Sequence, residues 1–330
     1  MAVRLAVNGG SPAIPESITF RKWPPQLDAA GEQLVLDAIR QDNHSGGGPH
    51  VRMLEREFAE WNGNRHCVAT CYGGAALHMC VAGCGVGAGD EIITTALSWT
   101  TSATCIIHHC AVPIFVDVDW ESMQLDPAKI EEAITDRTKA ILVVHYWGVA
   151  CDMDAITAIA EKHGLKVIED ACQAHGTLYK GQKTGTLGDC AAFSFNQNKN
   201  LCGGEGGVFV TDNDAVLEKA KAVMSFSDMR PADAGRDYHQ YGLGYKYGHG
   251  HLPAAFALAV CAAWMKPTRG QSPAGSISTG SLKGSPILSA ATARLNARPT
   301  ATPTCFAWIR PTHGSGAFRC QRSPTVSQRP

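Results

Sequence analysis

Between residues 91 and 224 short apolar runs alternate with segments of helical spacing, and that rhythm restricts the chain to few folds. The runs at 91–94, 112–118, 139–145, 166–170, 190–195 and 207–211 read as strands, and 100–110, 152–163 and 214–224 as helices. Such alternation predicts an α/β domain with a mostly parallel sheet. Two amphipathic helices at 29–40 and 51–61 precede it, joined by a loop containing Gly46, Gly47, Gly48 and Pro49. Ligands of such sheets bind beyond the carboxyl ends of the strands, so the residues just after Thr94, Ile168 and Phe195 are where chemistry should sit.

The 330 residues exceed the roughly 250–300 at which one hydrophobic core stops growing, which predicts a large domain with a smaller partner. A composition of 45% hydrophobic and 18% charged residues excludes disordered, collagen-like and membrane classes. The net charge of -1 conceals two unlike parts. Residues 1–264 hold all 30 acidic residues against 20 Lys+Arg, whereas residues 265–330 hold 9 Lys+Arg, no acid and 8 of the 17 prolines. That final stretch has no period able to bury a face, so the expected division is a folded domain over 1–260 and an irregular Pro/Ser/Thr/Arg-rich tail over 265–330. An out-of-frame reading of a GC-rich gene accounts for the tail, with a genuine flexible extension as the alternative. Its charges lack interleaved aromatics, which argues against nucleic-acid binding.

The 13 cysteines are scattered through apolar runs without CxxC spacing and read as buried free thiols of a reducing compartment. The amino terminus lacks the apolar core of a signal peptide, and no stretch of about 18 apolar residues occurs, so the expected location is the cytoplasm, away from membranes.

The most specific segment runs from Phe193 through Lys199 to Gly207, reading FSFNQNKNLCGGEGG. A lysine that leaves a buried strand for a glycine-rich turn is held near the sheet edge, where its amine could form a Schiff base; a surface lysine in a turn is the plainer reading. Asp170 closes an apolar strand, where a carboxylate could keep a pyridine nitrogen protonated or merely cap the next turn. Gln173, three residues on, could reach the same ring. Gly73, Gly74 and Ala75 open an apolar helix whose free N–H groups attract phosphate, although paired glycines are common in turns. Ser194 offers a hydroxyl to the same phosphate or is a buried strand serine. Trp99 could lie flat on a cofactor ring or belong to the core. His249 and His251 lack nearby Cys or carboxylate partners, so no metal site is expected.

With EDACQAHG, GDEIITTALSW and TKAILVVHYWG upstream, the lysine segment resembles the DegT/DnrJ/StrS sugar aminotransferases over residues from about 5 to about 260. The resemblance implies the large domain of a fold-type I pyridoxal-phosphate transferase that works as a homodimer, with its C-terminal small domain missing or replaced by the irregular tail. It implies that Lys199 carries pyridoxal 5'-phosphate, Asp170 pairs with the pyridine nitrogen, Gln173 and Trp99 lie against the ring, and Ser194 with Gly73, Gly74 and Ala75 holds the phosphate. The implied reaction moves an amino group from Glu or Gln to a keto-sugar or keto-cyclitol, in the making of an amino sugar, a surface glycan or an antibiotic. Lys at 199, where the related dehydratases carry His, favours transamination over dehydration.

Three departures favour, as the alternative, a catalytically impaired remnant that binds cofactor or a partner. A hydroxyl is missing at Gly74, the stretch from Gly248 to His251 replaces an Arg and an acid, and resemblance ends near Trp264.

Overall fold

Seven strands form one sheet in the computed structural model, which describes residues 27–41, 46–224 and 244–265. They are β1 (His66–Thr70), β2 (Glu91–Thr95), β3 (Val112–Val116), β4 (Thr138–Val144), β5 (Lys166–Asp170), β8 (Cys190–Ser194) and β9 (Gly207–Thr211). A separate hairpin pairs β6 (Leu178–Tyr179) with β7 (Gln182–Lys183). The order across the large sheet is β1-β9-β8-β5-β4-β2-β3. Pairing is parallel from β8 through β5, β4 and β2 to β3, and only β9 runs against its neighbours. The expected mostly parallel α/β domain is therefore present. All described residues fall in the unit Met1–Lys283.

Side chains one apart on a strand face opposite sides of a sheet, and here both sides are covered. Ile92, Leu142, Val144, Ile168 and Phe209 join one core cluster with α3 (Gly73–Gly83). Ile93, Ile141, Val143 and Val167 join another with α5 (Met153–His163). Double burial is why these strands read as continuous apolar runs. The helix α3 is buried at ten of its eleven residues. A third cluster sets Phe58, on α2 (Pro49–Asn62), edge-on to Phe193 and Phe195 at centroid distances of 5.1 and 5.7 Å. Each fully buried Phe contributes about 1.5–3 kcal/mol through its removal from water.

The helices α1 (Ala29–Arg40), α4 (Thr101–His108) and α6 (Asp214–Met224) agree with the expected segments, while three elements were not foreseen. β1 follows a polar Asn-Gly-Asn-Arg run and is only five residues long; the hairpin strands have two residues each. α7 (His251–Met265) begins with a His, a Leu and a Pro and is apolar nearly all round, which hides helical periodicity. The thiols need a correction. Eleven described cysteines are free, and seven of them are buried; Cys67, Cys71 and Cys84 are half-buried, and Cys110 is exposed, because it sits in the turn after α4 at φ 58°. Ser45 of the Gly-rich loop and residues 266–330 of the tail lie outside the described residues.

Candidate active site

Strand register assembles the site. Thr70 at the end of β1 pairs with Gly207, which pairs in turn with Ser194 at the end of β8. On the other side of β8, Ala192 pairs with Asp170, and Asp170 with Val144 of β4. One sheet edge thus carries the ends of β1, β8, β5 and β4, with β9 starting among them. This register brings Ser194 and Asp170, which are 24 positions apart in sequence, to the same edge.

Asp170 is buried, and both carboxylate oxygens accept hydrogen bonds. Ser102 Oγ donates to Oδ2 at 2.6 Å, and the Cys172 N–H donates to Oδ1 at 3.2 Å. Ser98 Oγ lies 2.6 Å from Ser102 Oγ, extending the chain of hydroxyls back toward Trp99. A buried carboxylate needs such partners, and theirs fix where its remaining lone pairs point. Ser102 was not anticipated; the hydroxyl-rich run Ser98-Trp99-Thr100-Thr101-Ser102 after β2 was the available signal.

Gly73 opens α3 directly beside Ser194. A Cβ at Gly73 would lie 2.7 Å from Ser194 Cβ and 3.1 Å from Cys172 Sγ, and one at Gly207 would lie 2.8 Å from the Gly73 nitrogen. Glycine at both positions lets a helix N-terminus approach the serine and the strand end this closely. The Gly73 and Gly74 N–H groups come before the first bond of the helix, which Ala75 N–H makes to Tyr72 O at 3.1 Å, so this corner suits an anion. Ala75 is fully buried behind it. At Gly74 a Cβ would meet the Tyr72 ring at 2.5 Å, so a hydroxyl side chain has no room there while Tyr72 holds its place.

Lys199 is half-buried in a loop that closes on itself: its N–H donates to Asn196 O at 2.8 Å, Phe195 N–H donates to Gly206 O at 2.8 Å, and Gly203 N–H donates to Phe195 O at 2.7 Å. Burial and the Asp170 carboxylate push the Cys172 thiol well up, while Lys199 pulls it down, so both charges act on one sulfur. Burial, with the Lys199 charge adding to it, also pushes His175 down to about 3. His175 packs against Phe193 and Phe195, and neither ring nitrogen has a hydrogen-bond partner among the described residues.

Gln173 Oε1 accepts the Trp147 N–H at 3.1 Å, at the end of β4. Trp99 sits in the loop before α4 with its indole 60% exposed. His249 and His251 have separate surroundings: His249 lies against Gly206, while His251 Nε2 is 3.1 Å from His50 Nδ1 and 3.0 Å from Gln41 Oε1. Among the described residues no group of three His, Cys, Asp or Glu is placed to hold a metal. A recess lined by Arg65, Asp189, Asp212 and Asp214 has its carboxylates bonded to Arg65, His66, Lys166 and the Arg65 and Val167 N–H groups. No helix among the described residues is long and apolar enough to cross a membrane.

The sequence is 43% identical over 219 residues to the L-glutamine:2-deoxy-scyllo-inosose aminotransferase of Streptomyces lividus, covering 64% of this chain and 50% of that protein. It is 39% identical over 235 residues to the GDP-perosamine synthase of Caulobacter vibrioides, covering 71% and 62%. Among solved structures, NtdA of Bacillus subtilis with bound cofactor PMP superposes with a TM-score of 0.62 at 30% identity, over 71% of this chain and 53% of that one. The chain thus spans about half to three-fifths of the length of these relatives. The model of the DegT/DnrJ/EryC1/StrS aminotransferases matches residues 25–265, and the chain belongs to that family.

Proposed function

We propose that this chain is a pyridoxal-phosphate aminotransferase that moves an amino group from Gln or Glu to a keto-sugar or keto-cyclitol. The supporting observation is the convergence of a buried, hydroxyl-bound carboxylate at Asp170 with the anion-suited corner of Gly73 and Ser194 on one sheet edge. The names of relatives that act on a cyclitol and make a GDP-linked amino sugar support the substrate class.

Pyridoxal phosphate, when bound, supplies an electron sink that lets an amino group and a carbon-bound proton leave their carbon. In this proposal Lys199 Nζ anchors the cofactor's aldehyde carbon and, once released, carries a proton as general base and then acid. The Asp170 carboxylate holds a proton on the pyridine nitrogen, and Ser102 keeps that carboxylate aimed. Gly73 and Gly74 offer backbone N–H groups to the phosphate, Ala75 adds its own N–H shared with Tyr72 O, and Ser194 offers its hydroxyl. Gln173 and Trp99 bound the ring on its open side. Free thiols fit a cytoplasmic location, and the working unit is a homodimer; sedimentation of the purified chain tests the latter.

The second reading, a cofactor-binding remnant without turnover, is favoured by the missing hydroxyl at Gly74. One experiment separates the two. The purified chain is loaded with pyridoxal phosphate, glutamine is added, and the cofactor is recovered by denaturation and chromatographed. Conversion to pyridoxamine phosphate supports the aminotransferase; retained cofactor that never converts supports the remnant.

A further inference from the structure

Trp147 is held at φ 54° and ψ 24°, a left-handed conformation that a bulky side chain adopts at a cost of about 1–2 kcal/mol. Such strain persists only where the surroundings over-determine it, and here they do. Tyr146 N–H donates to Gln124 Oε1 at 2.9 Å, and Gln124 Nε2 donates to Tyr146 O at 3.2 Å. Trp147 N–H donates to Gln173 Oε1 at 3.1 Å, and Thr177 Oγ1 donates to Gly148 O at 2.9 Å. His145 N–H, before the turn, donates to Asp170 O at 3.1 Å. Four partners from two separate segments, Gln124 from one and Asp170, Gln173 and Thr177 from the other, therefore clamp four consecutive residues.

What the clamp presents is an indole that is 71% exposed, stacked on the Tyr146 ring at 4.7 Å with 28° between the planes. Packing gives no reason for the strain, because the side chain is left in solvent. The turn follows the carboxyl end of β4, next to Asp170 and Gln173, on the edge that carries the candidate site.

We propose that the Tyr146–Trp147 stack is the acceptor platform of this site, on which the C–H face of a keto-cyclitol or pyranose ring rests, and that Trp147 is a specificity-determining residue. This rests on the aminotransferase reading. A six-membered polyol ring has an apolar C–H face and a polar rim, and a rigid aromatic face covers the first without competing for the second. The Trp147 N–H to Gln173 bond sets the platform's position relative to the residue proposed to bound the cofactor ring.

The test compares wild type, Trp147→Ala and Trp147→Tyr, each loaded with cofactor, using 2-deoxy-scyllo-inosose as the probe in calorimetric titrations. Trp147→Ala is expected to weaken binding of the probe about tenfold, and Trp147→Tyr to restore most of it. Cofactor affinity and sedimentation coefficient are expected to stay as in wild type. Unchanged probe affinity in Trp147→Ala, or a wild type that takes up cofactor but not the probe, overturns the platform. So does a shift in sedimentation in Trp147→Ala, which would mean that a second copy of the chain covers the indole. A wild type that fails to take up cofactor brings down the aminotransferase reading, and the platform with it.

Discussion

The wall of the site and its rim are built in opposite ways. On the wall, Asp170, Ser194 and Gly73 are buried, and strand register or close backbone approach puts each in place. On the rim, Trp99, Trp147 and Tyr72 expose between 38% and 71% of their surface and stand outside the strands. The wall shows how a parallel sheet supplies fixed charge and anion contacts cheaply, since one set of ladder bonds positions several groups. The rim shows that an exposed group needs its own clamp, and at Trp147 that clamp holds a strained backbone.

The largest expected effect lies behind the wall, on the opposite face of the strand that carries Asp170. Glu169, fully buried on β5, accepts from Gly185, Leu187 and Gly188 N–H groups at 2.7–2.8 Å and lies 2.9 Å from His145 Nε2. Glu169→Ala leaves those donors unpaired and is expected to cost about 3–5 kcal/mol in urea unfolding. A loss under about 1 kcal/mol would show that the wall tolerates broken supports as the rim does.

Asp170→Asn keeps shape and removes charge. It is expected to lower turnover of glutamine with 2-deoxy-scyllo-inosose about a hundredfold or more while leaving the unfolding midpoint little changed. Turnover close to wild type would remove the carboxylate from the chemistry.

Acid should loosen the buried side before the rim. Burial pushes His78 and His249 down to about 4 and His175 to about 3, so all three are neutral in the folded protein at pH 6. At these three sites the unfolded chain binds more protons than the folded one below about pH 6.5, so their contribution to stability is full above that value and falls toward pH 4. The expected slope is up to about 1.4 kcal/mol per pH unit for each imidazole. A flat profile between pH 6.5 and 4.5 would refute the burial assignment.

The smallest effect sharpens the rim. At φ 54° glycine is free of the strain that alanine bears, so Trp147→Gly is expected to be more stable than Trp147→Ala by about 1 kcal/mol. Equal stabilities would mean that position 147 is unstrained.

The wall was legible in the sequence because it follows strand ends: Asp170 closes β5 and Ser194 closes β8, and apolar runs mark both strands. The lysine loop was legible through its glycines. Ser102 and Trp147 were not, because each is placed by a partner far away in sequence, Asp170 for one and Gln173 with Gln124 for the other. α7 was missed for a different reason, since a helix apolar on every side has no face to betray it.

The central claim is that a single amine, Lys199 Nζ, meets the aldehyde of pyridoxal phosphate beside Asp170. It is tested most directly by incubating the purified chain with the cofactor, reducing with borohydride and locating the phosphopyridoxyl group by peptide mass. One modified lysine is expected, at 199, and none in Lys199→Ala. Modification spread over surface lysines, or unchanged in Lys199→Ala, would contradict it.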